Sequence, residues 1–100
     1  MYPGMDRMEK PLWPNTIFGE KLRQFREAIN ITQEELAFQA GLSRTYISLL
    51  ERGVRSPSLL VFLRLCAVLQ QKPDEVIAQI YQTLLGEEKE GRGSFFPKHE

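Results

Sequence analysis

The chain has 100 residues, 42% of them hydrophobic, which suits one domain with a modest core and leaves no room for a second independent domain. Its 13 basic and 13 acidic residues give a net charge of zero, so any anion-binding surface must be local. The longest apolar run, near residues 59–69, contains Arg64 and falls short of the ~20 residues that a membrane span needs. The single cysteine, Cys66, excludes an internal disulfide, and no signal-peptide pattern is visible. We therefore expect a cytoplasmic protein without membrane contact, with Cys66 as a small core residue.

The first predicted helix follows a proline-rich segment. Residues 1–15 contain three prolines and no helical period, so they are predicted to form an extended arm whose largest apolar residue is Trp13. From Ile17 the apolar residues recur at helical spacing, in a stripe formed by Phe18, Leu22, Phe25 and Ile29. We predict a domain over residues 16–85.

Two short helices are predicted to meet at Gly41. Thr32 and Glu35 have the spacing of a capping box that opens helix two, and Gly41 ends it by adopting a positive φ. Ser43 can cap helix three at once, and Gly53 can end it. A chain that breaks and restarts a helix in this way forms a rigid two-helix corner.

Two further helices and a tail complete the predicted order. Helix four is predicted to begin near residues 56–58 and to bury Leu59, Phe62, Leu63, Cys66 and Leu69. Helix five is predicted to begin at Pro73, with an apolar face of Val76, Ile77, Ile80 and Leu84. Residues 86–100 are charged, glycine-rich and partly aromatic, and are predicted to form a tail. The fold class is therefore all-α with five helices.

Helical angle separates the two faces of helix three. If Ile47 and Leu50 face the core, the opposite face carries Thr45, Ser48, Leu49 and Arg52, with Arg44 at the projecting N-terminal end. Such a helix suits the DNA major groove, where arginine can bond guanine with two parallel hydrogen bonds and apolar groups contact the thymine methyl. Residues 44–55 contain three arginines and one acid, a local basic surplus.

Residues 26–69 resemble the lambda-repressor/Cro-like (XRE-type) helix-turn-helix family. The resemblance rests on the joint spacing of Gln33, Leu36-Ala37, Gly41, Ile47, Leu50-Glu51-Arg52-Gly53 and Pro57, and "RTYIS" is similar to the controller proteins of restriction–modification systems. It implies a five-helix lambda-repressor-like domain with the helix-turn-helix at helices two and three. Gln70 departs from the glycine that usually ends helix four.

The resemblance also implies roles for individual residues. Arg44, Thr45 and Leu49 match base-reading positions, to which helical angle adds Ser48. Gln33 matches a residue that binds a DNA phosphate in the family. We expect Tyr46, Arg52 and Arg55 to add contacts with the DNA backbone. Arg26 and Glu51 match a partly buried ion pair. The alternatives are a solvated charge at Arg44, burial of Tyr46 against helix two, and an ordinary surface pair at Arg26 and Glu51.

The predicted function is a sequence-specific transcriptional regulator or repressor that binds double-stranded DNA at a near-palindromic operator as a homodimer. Surplus apolar surface on helix five predicts the dimer contact, formed by Ile77, Ile80, Tyr81, Leu84 and Leu85. The alternative is an antitoxin-like module that also autoregulates its operon and holds a protein partner through Trp13, Phe95 and Phe96. Because His99 is the only histidine and no catalytic, metal-ligand or phosphate-loop pattern occurs, no enzyme activity, metal or cofactor is expected.

Overall fold

The computed structural model describes residues 13–91 and 95–97. These residues fold into five α-helices, which confirms the predicted all-α class: α1 Pro14–Ala28, α2 Gln33–Ala40, α3 Arg44–Glu51, α4 Leu59–Leu69 and α5 Pro73–Lys89. Among the described residues, no helix is both long and apolar enough to cross a membrane.

The corner between α2 and α3 forms as predicted. Thr32 Oγ1 accepts from the Glu35 backbone N–H at 3.0 Å, and Glu35 Oε1 accepts from the Thr32 N–H at 2.8 Å, which completes the capping box. Gly41 ends α2 in the left-handed region, with φ 71°. The Ser43 hydroxyl then accepts from the Tyr46 N–H at 3.0 Å and caps α3, so only three residues separate the end of α2 from the start of α3.

The core collects side chains from all five helices. Its fully buried members include Leu22 of α1, Leu36 of α2, Ile47 and Leu50 of α3, and Leu65 of α4. Burying an aliphatic side chain of this kind contributes about 1.5–3 kcal/mol. The DNA-reading candidates on α3 therefore lie on a helix whose opposite face is anchored in the core.

Two of the residues predicted to be buried by α4 are exposed. Leu59 and Leu63 are 72% and 44% exposed, whereas Leu65 has no exposed surface. Phe62, Cys66 and Leu69 are buried as predicted. The sequence of α4, LLVFLRLCAVL, is apolar at ten of its eleven positions, so its pattern does not distinguish the core face from the outer face.

Both ends of the predicted domain differ from the structure. Helix α1 begins at Pro14, because proline suits the first helical position, so Pro14 and Asn15 are not part of an extended arm. Residues 1–12 lie outside the described residues. Helix α5 continues through Gly86 to Lys89, four residues into the predicted tail. An exposed glycine costs a helix only about 1 kcal/mol, and the good helix formers after it continue the helix.

Aromatic residues from the two ends of the described chain lie against each other. Trp13 contacts Phe95 with ring centroids 6.2 Å apart, Phe95 contacts Phe96 at 5.2 Å, and Phe96 contacts Tyr81 of α5 at 5.4 Å. All three pairs are edge-to-face, the arrangement that ring quadrupoles favour. The aromatic residues that the antitoxin alternative assigned to a partner thus make contacts within the chain.

Candidate nucleic-acid interface

The N-terminal half of α3 projects from the domain. Arg44 and Thr45 are exposed, while Ile47 and Leu50 on the opposite face are fully buried. Ser48 and Leu49, one turn further along, are half-buried. The structure therefore places the four predicted base-reading residues on one helix, with the two exposed ones, Arg44 and Thr45, in its first turn.

A braced loop follows α3. Gly53 takes φ 74°, and its carbonyl accepts a hydrogen bond of 2.6 Å from the side-chain amide of Asn15 in α1. The Val54 N–H donates to the Leu49 carbonyl at 3.0 Å, which closes the turn. Arg52 and Arg55 are both exposed at this end of α3. The cations predicted to contact phosphate thus lie at the opposite end of the helix from Arg44.

Tyr46 is half-buried and packs against the hydrophobic core. This is the geometry of the alternative in which Tyr46 is mainly a packing residue. Part of the Tyr46 side chain is still exposed, so its contact with a DNA phosphate stays a prediction.

Arg26 and Glu51 form a nearly buried ion pair between α1 and α3. Arg26 Nε lies 2.6 Å from Glu51 Oε2, and Nη2 donates to Oε1 at 3.1 Å. The two side chains are 12% and 3% exposed. The hydrogen bond to Glu51 raises the pKa of Arg26 above its ordinary value. Arg26 Nη1 also donates to the Ile31 carbonyl at 3.0 Å, so the guanidinium joins α1, α3 and the segment before α2.

Gln33 is tied into the same network, a contact that the sequence reasoning missed. Its side-chain Nε2 donates to Glu51 Oε1 at 2.9 Å. Glu51 therefore accepts hydrogen bonds from both Arg26 and Gln33, which satisfies an otherwise costly buried carboxylate. The sequence carried no signal for this contact, because residues 33 and 51 are in different helices.

The predicted dimer residues of α5 do not share one face. Ile80 and Leu84 are 8% and 5% exposed and pack in the core with Val76, so they leave little surface for the predicted contact with a second copy. Their spacing of four residues makes them the single core-facing stripe of the helix. Ile77 and Tyr81 are about half exposed, and Leu85 is half-buried.

The exposed residues of α5 adjoin those of α4. Ile77 and Leu59 both line an apolar groove of about 320 Å³, whose floor includes Phe62 and Ile80. Leu60 and Leu63 of α4 are also exposed. Five apolar side chains of these two helices are thus exposed, and we refer to them together as the α4–α5 face: Leu59, Leu60, Leu63, Ile77 and Tyr81.

Comparison with known proteins identifies the fold family. The family model described as "Helix-turn-helix" matches residues 22–76. The control protein C.BamHI of Bacillus amyloliquefaciens is 42% identical over 62 residues, which cover 61% of this chain and 76% of that protein.

Two solved structures show the same similarity in three dimensions. The restriction–modification controller protein C.AhdI from Aeromonas hydrophila is 42% identical, with a TM-score of 0.60 over 62% of this chain and 94% of that one. The P22 c2 repressor, solved in complex with a synthetic operator, is 34% identical, with a TM-score of 0.56 over 59% of this chain and 89% of that one. This chain therefore belongs to the helix-turn-helix family of lambda-repressor/Cro-like (XRE-type) DNA-binding transcription regulators.

Proposed function

We propose that this protein regulates transcription, without catalysis and in the cytoplasm, by binding a near-palindromic operator as a homodimer. The observation that carries the proposal is the N-terminal turn of α3, where Arg44 and Thr45 are exposed while Ile47 and Leu50 fix the opposite face of the helix in the core. A helix presented in this way fits the major groove with its first turn against the base edges.

The exposed side chains suit two different tasks. Arg44 can donate two hydrogen bonds to O6 and N7 of a guanine, Thr45 and Ser48 offer hydroxyls, and Leu49 can contact a thymine methyl. Contacts with the DNA phosphate backbone do not distinguish one base from another, but they fix the register of the protein on the duplex. We assign these to Gln33, Tyr46, Arg52 and Arg55.

We place the dimer contact on the α4–α5 face. Leu59 and Ile77 line the same apolar groove, and the other members of this face are exposed on the same two helices. Soluble monomers seldom expose a large apolar surface unless it binds something. A two-fold axis through this face would present two copies of α3 on the same side, about 34 Å apart when they occupy successive major grooves. This supports a near-palindromic site.

The test joins site selection with sedimentation. Double-stranded DNA selected from a random pool should contain two related half-sites about one helical turn apart. Leu63→Asp should shift the sedimentation of the dimer toward monomer, because it places a charge in the apolar contact. Ile29→Asp is the matched control, since Ile29 is 46% exposed and Leu63 is 44% exposed, but Ile29 lies at the end of α1. Recovery of single half-sites and a wild-type protein that sediments as a monomer at tens of micromolar would contradict the homodimer.

A further inference from the structure

The start of α2 is held by a hydrogen-bond network that extends from α1 through α3. Gln33 is the first residue of α2, and its side-chain amide donates to Glu51 Oε1 at 2.9 Å. The same carboxylate is held by Arg26 through bonds of 2.6 and 3.1 Å. The three side chains therefore form a continuous chain of contacts, Arg26 to Glu51 to Gln33.

This contact restricts the orientation of a side chain that the proposed function assigns to a phosphate. A glutamine amide has two N–H donors, and Glu51 occupies one of them. With that bond made, the amide plane is fixed, so the second N–H keeps a defined direction before DNA arrives. Without an acceptor at residue 51, the Gln33 side chain would lose rotamer freedom only on binding, and that cost would reduce affinity.

Arg26 neutralises the negative charge of Glu51, which would otherwise hinder phosphate binding. A lone carboxylate next to a phosphate contact would repel the phosphate, and the first turn of α2 already carries Glu34 and Glu35. The guanidinium of Arg26 pairs with Glu51 through two hydrogen bonds, so the carboxylate accepts from Gln33 without adding net negative charge there.

We propose that Glu51 is a positioning residue for DNA binding, which orients Gln33 toward a backbone phosphate while Arg26 neutralises it. This inference rests on the proposed function, because it concerns the phosphate contact of Gln33. It gives the ion pair a role in affinity in addition to its role in stability.

A pair of variants separates the two roles. R26M/E51M replaces the ion pair by apolar side chains of similar length, a change that is often neutral or stabilising, and it alters no net charge. It removes the acceptor for Gln33. E51Q keeps an oxygen acceptor for Gln33 but leaves Arg26 without its counter-charge, so it should be the less stable protein and yet the better binder.

The measurement is affinity for the selected site and for a random duplex, at a temperature where circular dichroism shows each variant to be folded. R26M/E51M should bind both duplexes about two- to tenfold more weakly, which is the worth of one hydrogen bond, because a phosphate contact is independent of sequence. In a Gln33→Ala background the same double substitution should change neither affinity. E51Q should bind more tightly than R26M/E51M.

Two results would overturn the inference. One is an affinity that follows stability across the variants, so that R26M/E51M binds as the wild type does. The other is an equal loss with and without Gln33. Failure of the proposed function would look different, because the wild-type protein would then show no preference for the selected site over the random duplex.

Discussion

The close crossing of α1 and α3 predicts that two glycine-to-alanine substitutions will have opposite effects. A β-carbon at Gly19 in α1 would meet the carbonyl oxygen of Leu50 and lie 2.6 Å from that of Glu51. Carbon–oxygen contacts are normally ~3.3 Å or longer, so the Glu51 contact alone would require α1 and α3 to separate by about 0.7 Å, and the closer Leu50 contact would require more. Both obstructing atoms belong to the α3 backbone and cannot rotate away.

The size of the Gly19 effect follows from two opposing contributions. Alanine favours a helix interior by about 1 kcal/mol relative to glycine. Overpacking against fixed backbone costs about 3 kcal/mol, the upper end of the usual range. We therefore expect Gly19→Ala to lower the free energy of unfolding by about 2 kcal/mol, which corresponds to a Tm lower by roughly 8–16 °C.

Gly86 in α5 supplies the matched control. It is exposed, and a β-carbon there would have no neighbour within 4 Å. Gly86→Ala should therefore raise the free energy of unfolding by about 0.5–1 kcal/mol through helix propensity alone. Urea and thermal unfolding of both variants provide the assay. If Gly19→Ala were stabilised as much as Gly86→Ala, the close approach of α1 and α3 would be refuted.

Two further predictions concern buried groups. Replacing either Arg26 or Glu51 by glutamine should lower the free energy of unfolding by about 3–5 kcal/mol, because the charge of the partner is left buried. The double replacement should cost less than the sum of the two single ones. Strict additivity in unfolding experiments would show that the pair is not coupled. Burial raises the pKa of the Cys66 thiol above its ordinary value. Folding therefore favours the protonated thiol, so this contribution to stability is complete below the ordinary thiol pKa and is lost as the pH rises through the raised one. In the wild-type protein the free energy of unfolding should therefore decline above about pH 9, the ordinary thiol pKa, and Cys66→Ala should flatten this decline. Identical alkaline profiles for the wild-type protein and the variant would argue against a buried thiol.

Local signals determined how much of the fold could be predicted. The capping box at Thr32, the left-handed Gly41 and the Ser43 cap each depend on residues within one turn, and all three form as expected. The core face of α4 could not be predicted in the same way, because an almost wholly apolar helix has no polar side to mark the solvent. Leu65 was missed for this reason, and only packing against the other helices selects it.

Contacts between helices account for what the sequence did not reveal at the candidate site. Gly19 lies against residues that are 31 and 32 positions later in the chain, and Gln33 bonds to a residue 18 positions later. Neither contact leaves a periodic pattern in the sequence. On α5, periodicity identified the apolar residues, but it did not show which of them pack in the core. Val76, Ile80 and Leu84 do so. Surplus surface can be assigned only after the core is known.

The reading of bases by Arg44 is the central claim, and a comparison with Arg55 tests it most directly. Arg44 is exposed at the start of α3, whereas Arg55 is exposed in the loop beyond Gly53. The measurement is binding of Arg44→Ala and Arg55→Ala to the selected site, to single-base variants and to random DNA at several salt concentrations.

We expect the two losses to differ in kind. Arg44→Ala should cost about 1–3 kcal/mol on the selected site and relax discrimination at one base pair, with non-specific affinity largely kept. Arg55→Ala should weaken all sequences alike and reduce the salt slope by about one per subunit. If Arg44→Ala instead weakened every sequence equally and kept the base preference, α3 would not read DNA through this residue, and the assignment of the recognition surface would be contradicted.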